Sequence, residues 1–133
     1  SIRRIIDDLS YCLSVSICGN DSDWYRIEDD VLSALYAVGI IPSEAEARYE
    51  LDENLEIEEA VLPGNPLKFV YYSLSLSIRD IESGKNVFNW KCSGREGQIS
   101  YAFALDRAFS VMRKKIHNDF TKSLSKSFGL TIN

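Results

Sequence analysis

The stretch Phe69-Val70-Tyr71-Tyr72-Ser73-Leu74-Ser75-Leu76-Ser77-Ile78-Arg79-Asp80-Ile81-Glu82-Ser83-Gly84-Lys85-Asn86-Val87-Phe88-Asn89-Trp90-Lys91-Cys92 decides the fold. Val70, Tyr72, Leu74, Leu76 and Ile78 alternate with Phe69, Tyr71, Ser73, Ser75 and Ser77. A period of two is what a strand with one buried face requires, because successive side chains leave opposite sides of the pleat. After Glu82-Ser83-Gly84-Lys85 the alternation resumes with Phe88, Trp90 and Cys92, so the segment reads as a β-hairpin with a four- or five-residue loop.

Upstream, Pro63-Gly64-Asn65-Pro66 has the chemistry of a turn: proline fixes φ, and glycine or asparagine accepts left-handed geometry. Before it, Ala45, Ala47, Tyr49, Leu51, Leu55, Ile57 and Val61 share one parity while most of the carboxylates take the other. This predicts one long acidic-faced strand, with Glu53-Asn54 the place where it could be interrupted. Earlier still, Trp24, Ile27, Val31, Ala34, Leu35 and Val38 form a stripe at helical spacing that ends at Gly39, a C′ glycine. Ser22 or Asp23 offers an N-cap. Tyr11, Leu13, Val15 and Ile17 alternate with Cys12, Ser14, Ser16 and Cys18, which predicts a first strand, and Ile2, Ile5, Ile6 and Leu9 suggest a short helical turn over 1–9.

Downstream, Gly94 and Gly97 read as the end of the hairpin's second strand. From about Ile99 to Ser127 the period is helical again, through Tyr101, Leu105, Ala108, Phe109, Met112, Ile116, Phe120 and Leu124. Such a helix would be roughly 40 Å long at 1.5 Å per residue. The expectation is a single α/β (α+β) domain over 1–133, with one sheet in the order β-α-β-β-β-α and two long helices on one face. At 133 residues the chain is long enough for one domain with a real core, and its 45% apolar content belongs to a folding chain rather than a disordered one.

Charge narrows the function. A net charge of −5 argues against generic nucleic-acid binding, which needs an excess of Lys and Arg on one face. The acid is concentrated in Glu44, Glu46, Glu50, Asp52, Glu53, Glu56, Glu58 and Glu59, against the single cation Arg48, while residues 107–126 are basic. No run of about 20 apolar residues exists to span a membrane. The chain begins at Ser1 rather than methionine and so reads as a processed product, with any export signal or lipid anchor upstream of Ser1.

Candidate chemistry is sparse. Cys12, Cys18 and Cys92 form no C-x-x-C pair. Cys12 and Cys18 lie six residues apart in a strand, which separates them by about 20 Å, beyond disulfide reach, so only Cys92 could bridge to either. His117, the sole histidine, has no cysteine or carboxylate at metal-ligand spacing on its helix. Gly94-Arg95-Glu96-Gly97 lacks the Lys-Ser or Lys-Thr of a phosphate loop, and the carboxylates of residues 44–59 lack the D-x-D-x-D-G order of a calcium loop. The sequence therefore offers no catalytic, cofactor or metal residues, and the expected role is protein binding.

Two segments carry a resemblance. Ala47-Arg48-Tyr49-Glu50-Leu51 with Leu55-Glu56-Ile57, and the hairpin from Tyr72 to Phe88 with its Asp80…Ser83-Gly84 turn, resemble small bacterial envelope lipoprotein domains, the LpoB-like, CsgG-like, TolB-N-terminal-like and LptE-like group. Ser83 replaces the group's threonine and Phe88 its tryptophan, with Trp90 two residues on. The resemblance implies a non-catalytic accessory domain in the periplasm or at the outer membrane, docking on a partner protein or assembly machine. The alternatives are a small acidic cytoplasmic chaperone of a secretion system and a small acidic enzyme. If both helices cover one side of the sheet, the other side presents Phe69, Tyr71, Ser73, Ser75 and Ser77 beside Ser14 and Ser16, with Glu50 and Asp52 at its edge. Those are the candidate residues for binding a protein partner or a second copy.

Overall fold

A computed structural model describes residues 13–15, 23, 25–40 and 49–129. Three long strands dominate it: β2 (Tyr49–Val61), β3 (Lys68–Asp80) and β4 (Asn86–Gln98). They form an antiparallel meander, and β1 (Leu13–Val15) adds in parallel to the start of β2, giving the sheet order β1-β2-β3-β4. Helix α1 (Tyr25–Ala37) connects β1 to β2. After β4 the chain runs through α2 (Tyr101–Lys115), a π-helical turn (Ile116–Phe120) and α3 (Thr121–Phe128) without a break. The anticipated helical turn over 1–9, the remainder of the first strand, Trp24, and the residues of 41–48 lie outside the described residues.

The meander follows from local chemistry. Leu62-Pro63-Gly64-Asn65 closes with the Asn65 N–H donating to the Leu62 carbonyl at 3.1 Å, and Gly64 takes φ 76° at the third position, as a type II turn needs. The five residues 81–85 close the hairpin. Asp80 Oδ1 accepts the Glu82 N–H at 3.0 Å, and Ser83 Oγ accepts that of Lys85 at 3.3 Å. The Asp-x-x-Ser-Gly signature is thus turn chemistry.

The core lies between the sheet and the helices. Leu51 and Leu55 of β2, Val70, Tyr72, Leu74, Leu76 and Ile78 of β3, and Phe88, Trp90 and Cys92 of β4 are all buried on one face. Against them pack Ile27, Val31 and Leu35 of α1, Phe109 and Met112 of α2, Ile116 and Phe120 of the π-turn, and Leu124 of α3. Helix α1 stops where the sequence places its end. The Gly39 N–H donates to the Tyr36 carbonyl and the Ile40 N–H to that of Leu35, at 3.0 and 2.9 Å, which is a Schellman pair around a left-handed Gly39. Helix α1 is tied to the long helix by Arg26–Asp106 at 2.7 Å and by His117 Nε2 to Asp30 Oδ1 at 2.7 Å.

Three expectations need correction. First, β2 is uninterrupted, so Glu53 keeps its parity and lies on the buried face at 2% exposure, paired in register with Leu76. Second, β4 continues through Gly94 and Gly97 to Gln98. Those glycines sit where cross-strand rings pass over the backbone: a Cβ on Gly94 would come within 2.7 Å of Tyr72 Cζ, and one on Gly97 within 2.6 Å of Phe69 Cε1. Third, the last helix is under-wound at Ile116–Phe120, and Thr121 Oγ1 donates to the Ile116 carbonyl at 3.1 Å inside the loosened turn.

Candidate functional site: the open face of the sheet

With the helices on one side, the other side of the meander is a ladder of rungs, two residues wide at one end and three elsewhere. From one end they read Glu50–Arg79; Asp52–Ser77–Asn89; Asn54–Ser75–Lys91; Glu56–Ser73–Ser93; Glu58–Tyr71–Arg95; and Ala60–Phe69–Gly97. The pleat dictates this composition, because along the middle of the strands these residues alternate with buried ones in sequence. The centre is a column of small hydroxyls, flanked by carboxylates on β2 and cations on β4.

The predicted residues Tyr71, Ser73, Ser75 and Ser77 come together on this face, with the serines half-buried and Tyr71 36% exposed. Phe69 is there too, but only 6% exposed: its ring lies over Gly97 and under the Arg95 guanidinium, 5.2 Å from the ring centroid. Glu50 and Asp52 share the face, yet not at a sheet edge, since Tyr49, Glu50 and Leu51 pair with Leu13, Ser14 and Val15 of β1. Arg79 lies 3.3 Å from the Glu50 carboxylate and 3.9 Å from that of Asp52, so the two carboxylates share one guanidinium. Ser14 is opposite Glu50 in the ladder, and Ser16 is outside the described residues.

Two cavities open on this face. The larger, about 790 Å³, is lined by Glu56, Glu58, Tyr71, Ser73, Ser93 and Arg95 over a floor of Ile57, Tyr72 and Gly94. The smaller, about 260 Å³, lies one rung on, between Ser75, Ser77, Asn89 and Lys91. Sequence reasoning misses the β4 side because glycine reads as a strand end, which cuts Arg95 out of the sheet. The parity of Lys91, Ser93 and Arg95 with one another, opposite to Trp90 and Cys92, was the available signal.

Burial pushes the Cys92 thiol up to about 11; Lys115 opposes that shift and Asp119 adds to it. Among the described residues no group of three or more His, Cys, Asp or Glu is placed to hold a metal ion, and no helix is long and apolar enough to cross a membrane.

No family model matches the chain, and no curated protein matches its sequence. Solved structures do match its architecture. A minor lipoprotein from Acinetobacter baumannii superposes with a TM-score of 0.53 at 15% identity, covering 93% of this chain and 98% of that one. The rare lipoprotein B from Shewanella oneidensis gives 0.50 at 16% identity over 88% and 92% of the two chains. A protein from Xanthomonas campestris gives 0.52 at 17% identity, over 77% of this chain and 61% of its own length. At such identities the likeness is one of fold, and the fold is one that bacterial lipoproteins use.

Proposed function

We propose that this chain is a non-catalytic accessory domain of the bacterial cell envelope, in the periplasm or at the outer membrane, that works by docking a protein on the open face of its sheet. One observation carries the reading: the helices take one side of the meander, and the other side keeps a ladder of small hydroxyls with a 790 Å³ hollow among exposed Tyr71, paired serines and charges of both signs. Small side chains let a partner backbone approach closely, and a tyrosine supplies an apolar body with a polar tip. The fold shared with bacterial lipoproteins supports the envelope setting.

Site-specific photocrosslinking in the producing bacterium tests both parts. A benzoylphenylalanine at Ser75 is expected to give a discrete protein adduct in the envelope fraction, and the same group at exposed Lys122 of α3 none. Ser73→Arg should abolish the Ser75 adduct without altering the circular dichroism spectrum. Equal adducts from both positions would overturn the docking face. Adducts confined to the cytosolic fraction would overturn the envelope setting.

A further inference from the structure

Several charges of the helices and those at the Arg79 end of the ladder are matched within the chain: Arg26 with Asp106, Asp30 with Arg113 and His117, Glu96 with Arg107, and Glu50 and Asp52 with Arg79. Around the larger cavity the pattern changes. Glu56 and Glu58 have no ion-pair partner among the described residues; nor does Lys91, and Arg95 makes only its contact with Phe69. The two acids lie on β2 and the two bases on β4, on either side of β3. Two strand spacings put them about 10 Å apart, too far to neutralise one another across the serines.

Resting on the docking face just described, we infer that its occupant is a second copy of this chain, stacked face to face about a two-fold axis parallel to β3. That axis exchanges β2 for β4. It lays Glu58 of each copy over Arg95 of the other, and brings Glu56 between Arg95 and Lys91. The alternative axis, across the strands, would set β2 on β2 and acid on acid. Complementary charge therefore selects one arrangement, as like-charge contacts reject wrong ones.

The centre of the face fits the same axis. Strand β3 then lies along its own symmetry mate, so Ser73 meets Ser73 and the small hydroxyls permit the roughly 10 Å sheet separation of a β-sandwich. By the same operation Tyr71 meets Tyr71. Three strands about 14 Å across and ten residues, about 34 Å, long bury on the order of 500 Å² per copy, at the lower limit for a specific pair. The dimer is accordingly weak, held by charge and sensitive to salt.

Sedimentation equilibrium of the full chain tests the pairing. The wild type is expected to show a reversible monomer–dimer equilibrium that added salt weakens. Glu58→Arg or Arg95→Glu alone should raise the dimer dissociation constant roughly a hundredfold, since two attractions become two repulsions, and the double variant should restore most of the loss. Glu56→Arg with Lys91→Glu repeats the test without disturbing Arg95 over Phe69. A monomeric wild type, single variants that dimerise normally, or double variants no better than the singles would each overturn the pairing. A monomeric wild type that still gives a heterologous adduct from Ser75 in the cell overturns the second copy alone. Loss of that adduct as well overturns the docking face with it.

Discussion

The indole N–H of Trp90 donates to Asp119 Oδ2 at 2.8 Å, joining the middle of β4 to the π-turn. The bond directs an otherwise buried polar group outward to a carboxylate that itself faces solvent. Removing the acceptor leaves water to replace it in part. Asp119→Ala should therefore cost about 1 kcal/mol in a urea titration, and Asp119→Asn, whose amide oxygen can still accept, less than half of that.

Thr121 holds the loosened turn from inside. Its hydroxyl and its own backbone N–H both go to the Ile116 carbonyl. Thr121→Val keeps the volume and removes the side-chain bond in a buried place, which should cost about 1–2 kcal/mol. Thr121→Ser should recover most of it.

Leu76 and Phe109 are fully buried and face one another's layer, the first from the sheet and the second from α2. Truncating either to alanine should cost about 2–5 kcal/mol. An unchanged unfolding midpoint in both variants would mean that the faces are wrongly assigned.

Gly97→Ala would press a methyl group into the Phe69 ring, and the ring is boxed by Arg95 above. Overpacking of that kind costs about 1–3 kcal/mol. The ring is expected to swing outward, which NMR would register as shifts at Phe69 and Arg95 while the helix resonances stay in place.

Cys92 should be inert in the folded protein. With its thiol held up at about 11, the thiolate that alkylating reagents need is scarce at neutral pH. Iodoacetamide should label Cys92 only under denaturing conditions. Because the folded value exceeds the ordinary one, this cysteine's contribution to stability is complete below about pH 9 and lost as pH climbs through 11. Cys92→Ala should remove that part of the alkaline decline.

The meander was legible because three signals agree: period-two alternation, a Pro-Gly-Asn turn and the short loop after Asp80. The α1 terminus was legible because Gly39 has one conformation that suits it. What was missed has common causes. Glycine carries no pattern, so Gly94 and Gly97 looked like breaks, when each makes room for an aromatic ring from the next strand. A carboxylate among alternating apolar positions suggests an interruption, and Glu53 instead went inside with its parity unchanged.

The π-turn leaves a trace in the sequence. Ala104, Ala108, Met112, Ile116, Phe120 and Leu124 recur at intervals of four, and all are buried. An ideal helix drifts by about 40° at each such step. Over this many steps the stripe would leave the sheet unless the helix unwound somewhere, and the wider turn at Ile116–Phe120 returns Phe120 to Phe88 and Trp90, at ring distances of 5.8 and 5.3 Å.

The meander also sets a timetable. Strands β2, β3 and β4 are each joined to the next by a short turn, so their pairing closes small loops and can zip outward from residues 62–67 and 81–85 at little entropic cost. The parallel pairing of Leu13 with Tyr49 has no such turn and must wait for the whole of α1 to be spanned. Refolding is thus expected to protect the amides of Leu74 and Trp90 early and those of Tyr49 and Leu51, which turn toward β1, late, so that the chain gains its hairpins before its first strand finds a place.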